Sequence, residues 1–215
     1  MDKMNLYLVI ALAPLVGSLL AGLLGKVIGR KGAHIVTILG VAISFVLSRG
    51  VLYDFWTGKG QVFDQNIYTW LTMGGLDFGI GFMVDSLTAL MLVVVTSVSL
   101  MVHIYTIGYM SDDSGYQRFF SYISLFTFSM LMLVMSNNFV QLFFGWEAVG
   151  LVSYLLIGFY FQRDTAIFAN LKAFLVNRVG DFGFVLGIAL VLAHFGGSLN
   201  YADVFAAAPG LKDAT

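Results

Sequence analysis

The chain has 215 residues, 59% hydrophobic and 11% charged, with a formal net charge of -1, 24 Gly, 20 Phe and 2 Pro. An ordinary soluble domain carries about 25% charged residues, so the mean hydropathy of +0.89 points to lipid as the solvent for much of this surface. The near-neutral balance supplies no basic stripe for nucleic acid, and a Cys count of 0 excludes disulfide frameworks, thiolate metal sites and cysteine nucleophiles.

A membrane helix needs roughly 20 mostly apolar residues to cross about 30 Å of hydrocarbon. Six stretches qualify, which predicts an all-α polytopic membrane bundle. The first runs from about Leu6 to Leu24 and holds Pro14, which a membrane helix tolerates when neighbouring helices satisfy the freed backbone groups. A cleavable signal peptide is the competing reading, but no small-residue cleavage site followed by a polar region is present. The second span covers about Ala33 to Tyr53, after the basic turn of Lys26, Arg30 and Lys31. Asp54 to Ile80 differs in kind: Gly58, Gly60, Gly74, Gly75 and Gly79 punctuate short runs that read as a strand-like hairpin outside the bilayer.

The third span runs from about Phe82 to Tyr109, long enough to tilt or protrude. The polar loop 111–117 leads into a fourth span from about Arg118 to Met135, and Ser136, Asn137 and Asn138 turn tightly into a fifth from about Phe139 to Phe161. Gln162, Arg163 and Asp164 form the next turn, and the sixth span, about Ala166 to Phe195, is interrupted by Lys172, Arg178 and Asp181. Gly196, Gly197, Ser198 and Asn200 end it, and a mildly polar tail follows to Thr215. This divides the chain into an N-terminal pair of spans with its loop (1–80), a four-span unit (81–195) and an extramembrane tail (196–215). Lys26, Arg30, Lys31, Arg118 and Arg163 fall at one membrane face, against Lys3, Arg49, Lys59 and Lys212 at the other. The positive-inside bias therefore places the N-terminus and the hairpin outside.

Of the 12 acidic residues, 11 are Asp, and the single glutamate, Glu147, lies in one of the most apolar stretches. It is eight residues past Phe139, about 12 Å into the membrane at 1.5 Å per residue. A charge at that depth costs about 2.5 to 3.5 kcal/mol on insertion scales, so such residues face a bundle interior or a water cavity. Two readings are open for Glu147: a protonated carboxyl hydrogen-bonded between helices, or a proton-exchanging carboxylate balanced between desolvation and a nearby cation. Lys172 and Arg178 are the candidate cations. Lys172 can titrate or snorkel to the headgroups, whereas Arg178 is three residues from Asp181 and can pair with it on one helix face. His103 is a potential proton relay or a hydrogen-bonded packing residue; His34 and His194 lie near span ends. No metal-ligand spacing, nucleophile–base pair or phosphate loop stands out. The spacings of Gly17 with Ala21 and Gly22, and of Gly183 with Gly187, suit close helix packing.

The run GFMVDSLTALMLVVVTSVSLMVHIYTIGYM (81–110), the GWE-x-VGL-x-SYLLIGF element containing Glu147, and the AF-x-V-x-RVGD element containing Arg178 and Asp181 resemble the subunit L family of the proton-pumping NADH:quinone oxidoreductase, respiratory complex I. The related cation/proton antiporter large subunits share the GWE-like element but tend to continue differently after the Glu. The resemblance implies that Glu147 is the essential carboxylate of a half-channel, paired in the family with a lysine on a later broken helix. It also implies that Lys172, Arg178, Asp181 and His103 match family positions for proton translocation and electrostatic tuning. On the same ground no cofactor is expected in this subunit. NADH, FMN, iron–sulfur clusters and quinone are expected in partner subunits. The expected partners are other membrane subunits, especially a neighbouring antiporter-like one, in a bacterial cytoplasmic membrane. Family members are far longer, with two inverted repeats and a lateral helix, so these residues read as the N-terminal portion. The alternatives are a cation/proton antiporter subunit or a non-pumping membrane scaffold.

Overall fold

A computed structural model of the chain describes residues 2–73 and 76–211. Six helices in it are long and apolar enough to cross a membrane: α1 (Lys3–Leu23), α2 (Gly25–Trp56), α3 (Ser86–Tyr109), α4 (Tyr116–Val134), α5 (Phe139–Ile157) and α6 (Asp164–His194). A two-stranded antiparallel hairpin, β1 (Phe63–Met73) and β2 (Leu76–Val84), joins α2 to α3, and a short helix, α7 (Tyr201–Ala207), follows α6. The protein is a multi-pass membrane protein of the expected fold class. Gly74, Gly75 and Lys212, used in reading the hairpin and the orientation, lie outside the described residues.

The tightest packing is that of α1 on α2 and α4, and it forms around Pro14. Proline has no N–H, so the carbonyl four residues earlier, that of Ile10, loses its helical donor. In water a solvent molecule would replace it; in hydrocarbon another helix must. Ser44 of α2 donates to that Ile10 carbonyl at 2.7 Å, and Ser124 of α4 donates to the carbonyl of Pro14 itself, also at 2.7 Å. One turn further, the Ser121 hydroxyl donates to the Ser18 carbonyl at 2.9 Å and the Ser18 hydroxyl donates to the Ser121 carbonyl at 2.8 Å. Such short bonds need close backbones, and small residues permit them. A Cβ on Gly17 would stand 3.0 Å from the Val36 carbonyl oxygen, and one on Gly40 would stand 2.6 Å from that of Ala13. Gly17 and Gly22 are thus packing residues, whereas Gly183 and Gly187 face open space in this chain.

The basic turn before the second span is resolved by Gly29. Its φ of 67° is a left-handed value that interrupts α2, so residues 25–28 form a separate turn and the spanning part starts after it. Arg30, just beyond, donates to the carbonyls of Ser111 and Asp113 in the α3–α4 loop.

The hairpin extends further than hydropathy suggested. Phe82, Met83 and Val84, assigned above to the third span, belong to β2, where Val84 pairs with Phe63. Their hydrophobicity reflects burial under a hairpin rather than exposure to lipid: Phe82 and Val84 are 1% and 0% exposed in a cluster with Tyr7, Ile10, Leu92 and Leu131. The helix begins only after Asp85, whose carboxylate accepts from the Thr88 N–H at 2.7 Å as an N-cap.

The hairpin is fastened to the α4–α5 turn by that turn's own polar side chains. Asn137 donates to Asp64 at 3.0 Å and to Asn66 at 2.8 Å, while Asn138 donates to the Gly79 carbonyl at 3.1 Å and caps α5. Gln141 accepts from the Gly81 N–H at 2.8 Å, a contact for which β2 needs a glycine, since a Cβ there would collide with the Asn137 amide.

The fifth span ends at Ile157 rather than Phe161, because the chain turns at Gly158 and buries Phe159 against Tyr116 and Phe120. The tail is not featureless. Gly196 and Gly197, with φ of 66° and 85°, reverse the chain so that Leu199 and Tyr201 bond the backbone of Phe139 and Asn137, and α7 starts there. Tyr201 packs edge-on against Phe139, and burial raises its hydroxyl pKa despite a bond with Ser136 that works the other way.

Packing around Pro14 is testable with two glycines. Gly40→Ala should destabilise the protein by about 1–3 kcal/mol through overpacking, whereas Gly50→Ala, which meets nothing within 4 Å, should be neutral or slightly stabilising through helix propensity. Thermal melts in detergent distinguish the two, and equal melting temperatures would contradict the packing described.

Candidate functional site

Three of the ionisable residues inside the spans come together where α5 meets α6. Glu147 projects from α5, and an Arg178 guanidinium nitrogen on α6 bonds its carboxylate. The same nitrogen lies 3.4 Å from the Asp181 carboxylate, one helical turn on. Asp181 is held from its other side by the indole N–H of Trp146, which donates to it at 3.0 Å. Arg178 also stacks on Phe174, four residues earlier on the same face, with 4.7 Å from guanidinium carbon to ring centroid. The result is one cation shared by two carboxylates, with side chains 37% (Arg178), 22% (Glu147) and 10% (Asp181) exposed.

Aromatic edges position the two helices. Phe143 and Trp146 both meet Phe184, at 5.7 and 6.1 Å between centroids, and Tyr154 meets Phe174 at 5.4 Å. These contacts, rather than a broad apolar interface, set the face that α6 presents to α5, because almost none of the apolar stretch of α6 is buried.

Of the five residues singled out from sequence, the structure joins Glu147, Arg178 and Asp181 and leaves two apart. Lys172 is exposed and without an ion pair among the described residues. At about 100° per residue, six residues before Arg178 carries it well round the helix from the charged face. His103 is fully buried in α3, where Nδ1 meets the Ser99 carbonyl at 2.8 Å and the ring lies 6.0 Å from Phe120 of α4. Its Nε2 has no hydrogen-bond partner among the described residues. The Ser99 and Thr127 hydroxyls, 2.5 Å apart, continue that polar seam between α3 and α4. His34 sits near a span end as expected, but within hydrogen-bond distance (2.9 Å) of the Tyr116 hydroxyl on α4.

Trp146 was not among the sequence candidates. Its signal was its place beside Glu147: an indole N–H is a ready donor to a carboxylate, and consecutive helix residues can serve two partners on one facing helix. In the α5–α6 turn, Tyr160 has its hydroxyl pKa raised by desolvation and then by its hydrogen bond to Asp113.

Comparison with known proteins follows the same residues. The family model described as NADH-Ubiquinone oxidoreductase (complex I), chain 5 N-terminus matches residues 70–120, and that described as NADH:quinone oxidoreductase/Mrp antiporter, TM matches residues 136–214, more than half of the chain together. NADH-quinone oxidoreductase subunit L of Neisseria meningitidis serogroup A is 74% identical over 216 residues, covering 100% of this chain and 32% of that protein. The chain belongs to the subunit L and chain 5 family of antiporter-like membrane subunits. Subunit L of Rhodobacter capsulatus is 47% identical, covering 94% of this chain and 29% of its own length, and chain 5 of Arabidopsis thaliana is 46% identical, covering 94% and 30%. The chain thus spans about a third of the length of these subunit L and chain 5 relatives. Among solved structures, a chain of the archaeal membrane-bound sulfane sulfur reductase, a respiratory membrane complex, has the same fold, with a TM-score of 0.73 at 19% identity over 92% of this chain and 29% of that one.

The shared guanidinium predicts selective coupling. In a double-mutant cycle on the subunit, Glu147→Gln and Arg178→Gln should show a coupling energy of about 1 kcal/mol or more, below the 3–5 kcal/mol cost of breaking a fully buried pair because this one is partly exposed. Glu147→Gln and Lys172→Gln should be additive. Unfolding in detergent measures both, and coupling to Lys172 instead would reverse the assignment.

Proposed function

We propose that the protein moves protons across a bacterial cytoplasmic membrane as an antiporter-like subunit of NADH:quinone oxidoreductase, with Glu147 as the carboxyl that takes up and releases the proton. The observation that carries this is the charge arithmetic at the α5–α6 contact: two carboxylates against one guanidinium. With both acids ionised the trio holds one negative charge in excess, and one added proton makes it neutral. In a medium that penalises net charge, a group with room for one proton is suited to loading and unloading.

On this reading Glu147, and not Asp181, is the acid that exchanges. Asp181 accepts the Trp146 indole N–H and lies beside the guanidinium as well, so two groups hold it in place. Glu147 has the guanidinium as its hydrogen-bond donor. If Arg178 leans toward Asp181, already 3.4 Å from the same nitrogen, Glu147 loses its cation and takes a proton. When Arg178 returns, Glu147 releases it. Arg178 stays charged throughout and acts as the moving counter-ion. Such a two-position element is what a partner subunit needs to bias in order to drive the cycle. Lys172 and His103 are assigned supporting electrostatic roles along the route, and the family's lysine on a later helix supplies Glu147 with a further partner.

On this reading electron transfer belongs to partner subunits that hold the NADH site, FMN, iron–sulfur clusters and quinone site, while this chain meets lipid and a neighbouring antiporter-like membrane subunit. The cations Lys26, Arg30, Lys31, Arg118 and Arg163 fall at the membrane face where the α1–α2, α3–α4 and α5–α6 connections lie, which supports a cytoplasmic position for that face and an external N-terminus. The cation/proton antiporter reading shares the match over residues 136–214, but the 74% identical relative is named as an oxidoreductase subunit.

Glu147→Gln in the full-length subunit should remove NADH-driven proton uptake into proteoliposomes while the assembled complex still forms. Uptake at the wild-type level would instead support the scaffold reading, in which the buried charges only hold helices together.

A further inference from the structure

A cleft of about 950 Å³ opens at the basic end of the bundle, between the end of α1, the start of α4 and the α5–α6 turn. None of the charged trio lines it, and it takes no part in the proposed proton cycle. Three cations line it, Lys26, Arg118 and Arg163, against one carboxylate, Asp113. None of the three cations is ion-paired among the described residues. Asp113 is otherwise engaged: it accepts from the Gly115 N–H at 2.6 Å and bonds the Tyr160 hydroxyl.

Two of the cations are held in place without being neutralised. Arg118 lies over Phe159 at 4.5 Å and Phe161 at 5.4 Å, and donates to the Phe159 carbonyl at 3.3 Å. Arg163 lies over Tyr160 at 4.8 Å. Aromatic faces orient a guanidinium but leave donors free for an anion. The backbone adds to the same field. Gly115 and Arg163, the residues that open α4 and α6, both line the cleft, and neither helix has a side-chain N-cap. Two helix N-termini therefore end at this site, with Asp164 in the first turn of α6 and Asp113 on the Gly115 N–H offsetting part of their positive field.

The walls are not those of a soluble anion's pocket. Ala21 and Leu23 of α1, Tyr122 of α4 and Phe161 bound the cleft, and Leu23 and Phe161 are 79% and 58% exposed. A phosphate in the cleft therefore has an apolar wall beside it, at the end of the spanning helices.

We propose that this cleft binds the phosphodiester headgroup of an anionic phospholipid, with Lys26, Arg118 and Arg163 as the cationic contacts and an acyl chain lying along Leu23 and Phe161. The lipid joins α1, α4 and the α5–α6 turn, and so braces the cytoplasmic end of α6 that direct packing leaves largely uncovered. This rests on the membrane placement of the bundle alone and stands or falls independently of proton transfer at Glu147.

The test uses the complete assembled complex in nanodiscs of phosphatidylcholine doped with photoactivatable phosphatidylglycerol. Labelling should fall on peptides containing residues 113–122 and 159–163. Each cation near an anionic membrane surface is worth about a fivefold change in affinity, so Arg163→Gln alone should reduce labelling about fivefold and the Lys26→Gln, Arg118→Gln, Arg163→Gln triple variant at least about tenfold. A matched triple at the opposite face, Lys3→Gln, Arg49→Gln, Lys59→Gln, should leave it unchanged. Arg163→Lys, which keeps the charge, should retain most labelling, so a general folding defect is separated from loss of charge. Excess unlabelled phosphatidylglycerol should compete, whereas inorganic phosphate should not. Equal labelling by a photoactivatable phosphatidylcholine, unchanged labelling in the triple variant, or displacement by inorganic phosphate would each overturn the proposal. The last result would identify a soluble-anion site, and cross-links from the cleft to a neighbouring subunit in place of lipid would identify a protein interface.

Discussion

Hydrocarbon contains no water to complete an unfinished hydrogen bond, and most of the specific structure of this protein answers that constraint. Proline at position 14 leaves the Ile10 carbonyl without its helical donor, and Ser44 of the next helix supplies one. The Ser124 hydroxyl meets the Pro14 carbonyl, and Ser18 and Ser121 exchange bonds with each other's backbone. These bonds require the three helices to approach so closely that Gly17 and Gly40 have no room for a side chain. The α1–α2–α4 unit is therefore a polar seam closed by glycines, with its apolar residues turned both to lipid and to the cluster around Ile10 and Leu92.

The same constraint acts with greater force on charge. Three ionisable side chains on α5 and α6 can persist at membrane depth because they meet one another: the guanidinium of Arg178 serves Glu147 and Asp181, Phe174 covers its face, and the Trp146 indole completes the second carboxylate. Helix packing and the proposed proton exchange draw on one arrangement here. A fully matched pair would be quiet, whereas an arginine divided between two acids leaves a place for a proton. The contact that attaches α6 to the bundle is also the contact proposed to switch.

At the far end of the bundle the polar demand is met in a different way. The α4–α5 turn could have been a solvated loop, but Asn137 holds hairpin side chains, Asn138 and Gln141 hold hairpin backbone, Asn138 caps α5, and the chain after α6 returns to bond the same turn. Hairpin, turn and α7 thus form one cap, whereas the opposite end carries a cleft whose cations are without ion pairs among the described residues.

The sequence by itself determined the solvent, the six spans, the strand-like insert between the second and third, and the identity of the charged residues kept in the membrane, because each depends on the length of an apolar run or on a residue whose burial in lipid is costly. It also carried the family, through the elements around Glu147 and Asp181. It could not place the start of the third span, since Phe82, Met83 and Val84 are as apolar in a buried strand as in a membrane helix, and hydropathy does not distinguish the two. Nor could it choose between Lys172 and Arg178 as the partner of Glu147. Both are cations on one helix, and which of them faces α5 depends on how α6 is rotated about its axis. That rotation follows from ring contacts of Phe174 and Phe184 with residues far away in the chain. Only the tertiary structure decides it, because a pairing across two helices is set by packing geometry and leaves no period in either sequence.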